Sequence, residues 1–469
     1  MKRNYFIAIA VAALMIGTTV AQAADVSFSG QFRPRFQINE DFNDVTSARH
    51  NFTTRARLNA KANVNANTEV FLQFQSVGTW GNATQAGNTD VAGATRVSVG
   101  DANSANDRVA DVGLHQAYVT LKGFMGQPLD VKIGRQQVVL DGHRLFGHTG
   151  WTDGGNSMDA IRLNHNGGNH TLNYIYIAGL EQGSTTTNVD ANTNFHVIRA
   201  NTQGILGGDL TGMFVVVDDK QATTDTLYAS DTWYTIGARQ KGKIGGLDYR
   251  VEYYHQFGDA GAIAASSAFK AAYTTTPTSD SDISRDASMF GVRLGKTFKG
   301  AKLQPTFTLW FDSLSGTSDD DVAGDDWGTF DTHMDTGHKF YGLMDLFLGQ
   351  SGGKTGYYGL EDYAFKTKLK VSDKNTFKMD WHHFRTQTDL SNGDSDTMIA
   401  NDSKIGAQNG DAGDLGTEVD LTLVHKYDSN TKIVAGYSHY FSTHTLAALR
   451  NSGSNQDSDW MYLMVDTKF

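Results

Sequence analysis

Two pairs of arginines near the start of the chain have a spacing that could serve anion binding. Arg33 and Arg35 are two positions apart, and so are Arg55 and Arg57. On a β-strand, side chains two positions apart point to the same face. Fixed guanidinium groups along a water-filled passage lower the entry cost for anions and raise it for cations. The chemistry that these residues predict is therefore electrostatic guidance of anionic solutes.

Further bases occupy the same face of other segments with a two-residue period. On these faces together, bases outnumber acids by about two to one, although the whole chain has a formal charge of −11. The alternative is that luminal bases and acids pair across strands and only make the wall rigid. The candidate pore-lining bases are Arg33, Arg35, Arg55, Arg57, Arg162, Arg239, Arg250, Arg293, Lys366 and Lys368.

Composition removes several classes of protein. The 469 residues include no cysteine, so disulfide scaffolds and thiolate metal sites are excluded. The negative net charge argues against a general nucleic-acid binder, and we expect no nucleic-acid partner. An acidic run at 319–326 has oxygen ligands suited to Ca²⁺, but it lacks the spacing of a known calcium loop. We therefore expect neither a metal nor a cofactor.

The only long apolar stretch lies at the beginning of the chain. It follows Lys2 and Arg3 and runs into Ala21-Gln22-Ala23, which is the layout of a secretory signal. We predict a signal peptide at residues 1–23 and a single barrel domain at 24–469. No later window reaches the ~20 apolar residues of a spanning helix.

Alternation with a period of two defines the remaining chain. From Val26 to Ile38, apolar residues alternate with polar ones, and the pattern recurs in eighteen segments, most of them longer than soluble strands. Short connections alternate with long ones, the arrangement of outer-membrane barrels. The predicted fold is all-β: a transmembrane antiparallel β-barrel of about 18 strands, with short periplasmic turns and long extracellular loops that fold over or into the mouth.

The cost of placing charge in a bilayer determines whether the arginines face the lipid or the lumen. Each Arg or Lys on the lipid face costs ~2–4 kcal/mol at the membrane midplane, so the paired arginines must face the lumen. Arg135 is an exception. It lies two positions after Ile133, so the alternation places its side chain on the outer face together with that isoleucine. That position requires either a bulge at Gly134 or a place at the rim.

Several motifs after residue 130 resemble those of one family. The run Gly337-His338-Lys339-Phe340-Tyr341-Gly342-Leu343-Met344-Asp345-Leu346-Phe347 is similar to the hallmark segment of the alginate export family of outer-membrane β-barrels. Gly134-Arg135-Gln136, Glu252-Tyr253-Tyr254-His255 and Leu415-Gly416-Thr417-Glu418 resemble further family motifs, in order.

The resemblance implies an eighteen-stranded, monomeric channel in the outer membrane of a Gram-negative bacterium. It also implies an arginine-lined lumen that passes an anionic polymer of uronic acids or, in looser relatives, other solutes. Fold does not fix the substrate. His338, Lys339 and Asp345 match the hallmark segment, and we expect them to organise a loop over the pore.

We therefore expect a passive outer-membrane channel with a net basic lumen for anionic solutes, which include small anions, acidic polysaccharide such as alginate, or related oligosaccharides. Its partners would be outer-membrane lipid and the anionic solute. One alternative is a barrel sheath for a partner protein of an electron-transfer or polysaccharide-secretion complex; another is a general porin without anion preference. No enzyme is expected: residues 349–353 fit G-x-S-x-G, but no helical period follows Ser351.

Overall fold

The computed structural model describes nine stretches of the chain, and the statements below concern these stretches. The predicted signal peptide at residues 1–23 and the pentapeptide at 349–353 lie outside them. The described residues are 25–39, 49–80, 112–184, 189–222, 228–266, 283–347, 357–388, 413–449 and 456–469.

Eighteen β-strands within these stretches form the antiparallel wall of a barrel, in agreement with the alternating sequence pattern, and a two-residue strand, Asp326–Trp327, pairs in parallel with Ser284 and Arg285. Most are long enough to cross a membrane when tilted. The first nine are β1 (Asp25–Asn39), β2 (Arg49–Asn63), β3 (Thr68–Thr79), β4 (Val112–Leu121), β5 (Leu129–Gln136), β6 (Met158–Asn166), β7 (His170–Ser184), β8 (Val189–Ile205) and β9 (Gly208–Ala222).

The second half of the sheet closes back onto the first. β1 pairs both with β2 and with the last strand, from Gln31 opposite Lys468 to Asn39 opposite Trp460, so the barrel has no free edge. The remaining strands are β10 (Tyr228–Ile244), β11 (Leu247–Asp259), β12 (Ser284–Thr297), β13 (Thr306–Leu314), β14 (Leu360–Lys370), β15 (Asn375–Arg385), β16 (Asp414–Lys426), β17 (Thr431–Phe441) and β18 (Ser458–Lys468).

The outer face of the barrel is apolar. Phe28 on β1 is 61% exposed and Leu309 on β13 is 60% exposed, while their strand neighbours turn inward. Apolar side chains exposed around the whole circumference are typical of a surface that faces hydrocarbon rather than water. None of the helices in the described part of the chain is long and apolar enough to span a membrane.

The two ends of the barrel differ in their connections. At one end the turns are short, such as 64–67 between β2 and β3 and 371–374 between β14 and β15. At the other end, connections contain the short helices α1 (Gly261–Ser266), α2 (Asp319–Ala323) and α3 (His444–Leu449).

The expected strict alternation of short and long connections is wrong at two places. β8 begins five residues after the last residue of β7, Ser184, and β10 begins six residues after the last residue of β9, Ala222. These four strands are 15 or 17 residues long, so they extend the wall where a loop was expected.

Two connections fold into the barrel. We call residues 137–157, between β5 and β6, loop A, and residues 328–347, between β13 and β14, loop B. The loops meet in a short parallel bridge between Phe146 and Met334. Apolar side chains of loop A pack against luminal Ile175 and Val215, whereas loop B packs its Phe347 against Phe384. The lumen is therefore lined partly by loops rather than by strands alone.

Candidate functional site

Four arginines on β1 and β2 form what we call the arginine ladder: Arg33, Arg35, Arg55 and Arg57. Arg33 lies directly opposite Arg55 in the strand register. The first three are at most 5% exposed, and all four point into the lumen, as parity predicts. The structure thus brings together four of the predicted pore-lining bases.

Loop A covers the ladder and accepts its hydrogen bonds. Arg33 donates to the carbonyl oxygens of Gly150 at 2.8 Å, Trp151 at 2.9 Å and Thr152 at 3.0 Å. Both Arg33 and Arg35 pair with the Asp153 carboxylate, at 2.9 and 3.1 Å. The ladder therefore holds loop A mainly through its backbone, with one carboxylate added.

The second pair of the ladder binds neutral acceptors in the described part of the chain. Arg55 donates to the Thr152 carbonyl at 3.0 Å and to the Gln31 side chain at 3.0 Å. Arg57 donates to the Gln75 side chain at 2.6 Å and to the Gly154 carbonyl at 3.2 Å. Neutral dipoles compensate a guanidinium charge less than a carboxylate does, so the ladder retains excess positive charge.

Trp151 of loop A connects the ladder to loop B. Its ring lies 4.5 Å from the Arg35 guanidinium carbon and stacks on the His338 ring at 4.4 Å between centroids. His338 in turn shares a 2.8 Å hydrogen bond with Asp345. Two residues of the family-motif segment thus lie in loop B beside the covering segment of loop A.

Arg144 of loop A is the centre of a second group, which we call the Arg144 cluster: Arg144, Arg239, Glu252, Arg250, Arg293 and Asp312. The Arg144 guanidinium is 1% exposed. It donates to Asp312 on β13 at 2.6 Å and to Glu252 on β11 at 3.2 Å, and it donates to the Tyr341 hydroxyl of loop B at 2.8 Å. One side chain therefore ties both loops to the wall.

The other arginines of this cluster come from three neighbouring strands. Arg239 and Arg250 lie 3.6 and 3.3 Å from Glu252 oxygens, and Arg293 lies 3.7 Å from an Asp312 oxygen. Arg293 also covers the ring of Trp310. Four guanidinium groups thus share two carboxylates, and three of these arginines are predicted pore-lining residues.

Lys339, the third family-motif residue, lies next to the same cluster. Its ammonium donates to the Gly142 carbonyl of loop A at 3.2 Å. Burial, followed by the charges of Arg250, Arg239 and Arg144, lowers the pKa of Lys339. Burial and the Lys339 charge likewise lower the pKa of His143 to about 4. The loops therefore meet in a region of positive potential.

The three remaining predicted bases are not part of either group. Arg162 on β6 donates to the Asn173 side chain at 3.3 Å. Lys366 on β14 pairs with Asp380 at 3.0 Å and contacts the His382 ring at 3.0 Å. Lys368 is exposed farther along β14. The predicted list thus separates into two clusters and three individual positions.

A group of buried acids lies on β14 to β16. The Glu418 carboxylate accepts hydrogen bonds from the backbone N–H groups of Leu343 at 2.6 Å and Met344 at 2.9 Å. Asp362 pairs with His382 at 2.8 Å, and neither side chain has measurable exposure. Glu418 therefore holds loop B against the wall, whereas the Asp362–His382 pair joins β14 to β15. The alternation of the sequence gave no sign of this anchoring.

Arg135 lies on the outer face and pairs with Asp159 on the next strand at 3.0 Å. The registers of β5 with both neighbours are continuous, so no bulge occurs at Gly134, and Arg135 directly precedes the last residue of β5, Gln136. The first part of the acidic run 319–326 forms α2, where the Asp321 carboxylate caps the helix start by accepting from Ser318. Among the residues that the structure describes, no group of three metal-ligating side chains is placed to hold an ion.

The closed barrel, its apolar belt and its charged interior define the protein as an outer-membrane channel of a Gram-negative bacterium. The family model described as "Alginate export" matches residues 24–458, and the chain belongs to this family. A comparison with curated proteins gives no match.

Solved porin structures are similar in fold. Pseudomonas aeruginosa OccK8 (OprE) is 12% identical with a TM-score of 0.54, and the match covers 95% of this chain and 98% of that one. The P. aeruginosa OpdK structure with vanillate is 10% identical, with a TM-score of 0.55 and the same coverage. Acinetobacter baumannii OccAB2 is 12% identical, with a TM-score of 0.54 and again the same coverage. At these identities, the likeness concerns the fold alone.

Proposed function

We propose that the channel conducts solutes passively and favours anions. The observation that carries this proposal is the charge imbalance in the two luminal clusters. The arginine ladder and the Arg144 cluster together contain eight guanidinium groups, and in the described stretches the carboxylates that pair with them are those of Asp153, Glu252 and Asp312. Such an excess attracts anions and repels cations.

The luminal acids on β14 to β16 do not offset this excess in the passage. Glu418, Asp420 and Asp362 are at most 1% exposed. Carboxylates buried to this extent have little contact with a passing solute. Asp380 is more accessible, but it is paired with Lys366. The bases therefore dominate the field that a solute experiences next to the loops.

The solute class that we propose is carboxylate-bearing, with acidic polysaccharide such as alginate or its oligosaccharides as the leading candidate. Membership of the alginate export family supports this class. Transport needs no cofactor: solutes move down their gradient through weak successive contacts with Arg and Lys, because tight binding would stop conduction.

Reversal potentials in planar bilayers under a KCl gradient test the anion preference. The wild-type channel is expected to show an anion-selective potential, and the R250Q/R293Q double variant a smaller one. R135Q is the control, because it removes a positive charge from the outer face and should leave the potential unchanged. A cation-selective wild-type channel would refute the proposal.

A general porin without anion preference is the second candidate. The observation that favours it is the number of luminal lysines with an acidic partner, such as Lys61 with Glu69 at 3.0 Å and Lys241 with Asp209 at 3.3 Å. If this pairing dominated, the reversal potential would be close to zero in wild type and in both variants.

A further inference from the structure

Asp153 of loop A occupies a position between two arginines that a solute carboxylate could also take. One oxygen, Oδ1, lies 2.9 Å from an Arg33 nitrogen, and the other, Oδ2, lies 3.1 Å from an Arg35 nitrogen. A carboxylate bridging two guanidinium groups is a strong, geometrically specific arrangement. In the described part of the chain, this is the carboxylate with which the ladder forms ion pairs.

The ladder still has unused hydrogen-bonding capacity. The Nε–H groups of Arg33, Arg35 and Arg55 are buried and have no hydrogen-bond partner among the residues that the structure describes. These three side chains are buried, with exposed fractions of 3–5%. Buried donors without partners and guanidinium groups in excess over carboxylates both favour a further acceptor with negative charge.

We propose that Asp153 is a tethered competitor that occupies a solute carboxylate site formed by Arg33 and Arg35. This inference rests on the proposed function, because it assigns the carboxylate-binding position within the anion-conducting lumen. A carboxylate-bearing solute exchanges with the Asp153 side chain, and the tethered carboxylate displaces it again. Exchange keeps solute residence short, as conduction requires.

The exchange does not require loop A to leave the wall. Arg33 and Arg55 hold the loop through the carbonyls of Gly150, Trp151 and Thr152, which stay in place when the Asp153 side chain rotates. The Asp153 side chain is 14% exposed, so a path to water is open on one side. Only a side-chain rotation separates the occupied site from the free one.

Single-channel recording with citrate as the probe tests the assignment. Citrate is a tricarboxylate that should interrupt the current when it binds. D153N removes the competing charge and is expected to strengthen citrate binding about tenfold, the equivalent of ~1.4 kcal/mol. D153E keeps a tethered carboxylate and should bind citrate as weakly as wild type does.

D141N is the matched control within the same loop. Asp141 pairs with Arg199 on β8 through two hydrogen bonds, at 2.8 and 2.6 Å, away from the ladder. Its removal takes away a similar ion pair from loop A and is expected to change citrate affinity less than about twofold. An equal gain in D141N and D153N would show a general loosening of loop A and overturn the proposal.

A second variant keeps the test decisive if D153N does not assemble. R35Q removes half of the site and is expected to weaken citrate binding about tenfold in the wild-type background. Unchanged citrate affinity in R35Q or in D153N, in a channel that remains anion-selective, would refute the tethered competitor alone. Cation selectivity of the wild type would instead refute the proposed function.

Discussion

Single charged side chains hold the interior of this channel together. Arg144 lies on loop A, yet its partners belong to β11, β13 and loop B. A buried guanidinium with two carboxylates costs much desolvation, which only complete pairing repays. No alternating pattern marks Arg144, because it lies outside the strands. The alternation of the sequence therefore found the cluster members Arg239, Arg250 and Arg293 but not the residue that links the loops to the wall.

Replacing Arg144 by methionine should release both loops. The change leaves Glu252 and Asp312 buried with fewer partners, and breaking such a pair typically costs about 3–5 kcal/mol. We expect a larger single-channel conductance and more frequent gating in R144M, measured in planar bilayers. R135M, which alters the ion pair at the outer rim, should conduct as wild type does; an unchanged R144M conductance would contradict the role given to Arg144.

Asp335 of loop B predicts a pH dependence near neutrality. Burial raises the pKa of Asp335 to about 7, against the lowering effect of Arg144. Because the raised pKa means that the folded loop prefers the protonated acid, this stability is fully present below the ordinary aspartate pKa of 3.8 and is lost as the pH rises through about 7. Burial lowers the pKa of neighbouring His333 to about 4, so that ring stays neutral in this range.

The wild-type channel should therefore show more loop gating at pH 8 than at pH 5. D335N cannot ionise, and we expect its gating frequency to change little between these two values. The measurement is single-channel recording at both pH values with constant salt. A wild-type channel that gates less often at pH 8 than at pH 5 would contradict the predicted direction of the pH dependence.

At the scale of elements, the strands follow from the sequence, whereas the inward loops do not. Alternation around Arg33 and Arg55 identifies two strands and the direction of their charged faces. Loop A has no period, and its contacts join residues more than ninety positions apart. One signal was present: Met213-Phe214-Val215-Val216-Val217 on β9 is apolar on both faces, which is typical of a strand covered on its luminal side as well.

Closure of the first strand onto the last predicts an assembly defect. Gly30 of β1 exchanges two backbone hydrogen bonds with Phe469, at 2.6 and 3.1 Å. A Cβ atom at Gly30 would lie 2.4 Å from the Phe469 ring. We expect G30V to lower the folded fraction, measured by heat-modifiable mobility in gel electrophoresis. In G113V, where a side chain on β4 meets open space, assembly should be normal.

At the scale of the whole molecule, the net charge and the luminal charge have opposite signs. The chain is acidic overall, at −11, while its two luminal clusters are basic. The sequence predicts this sorting, because lipid forbids charged side chains on the outer face and leaves only the lumen and the loops. It does not predict that most ladder arginines would be occupied by the protein's own backbone.

Selectivity that arises from fixed luminal charge should depend on ionic strength. The screening length falls from about 10 Å at 0.1 M salt to about 3 Å at 1 M. We therefore expect the anion-to-cation permeability ratio to decline towards one as KCl rises through this range at a constant concentration gradient. A ratio that stays constant would indicate steric selection in place of electrostatic selection.

The two inward loops are held through opposite ends of the peptide group. Loop A offers carbonyl oxygens to arginines, and loop B offers N–H groups to the Glu418 carboxylate. Every amino acid supplies a carbonyl, and all but proline supply an N–H. Side chains at positions such as Thr152 and Leu343 can thus diverge during evolution while the backbone hydrogen bonds that hold the loops are retained. Descendants of this barrel could change their solute selectivity through substitutions of loop side chains, without changes in the strands of the wall.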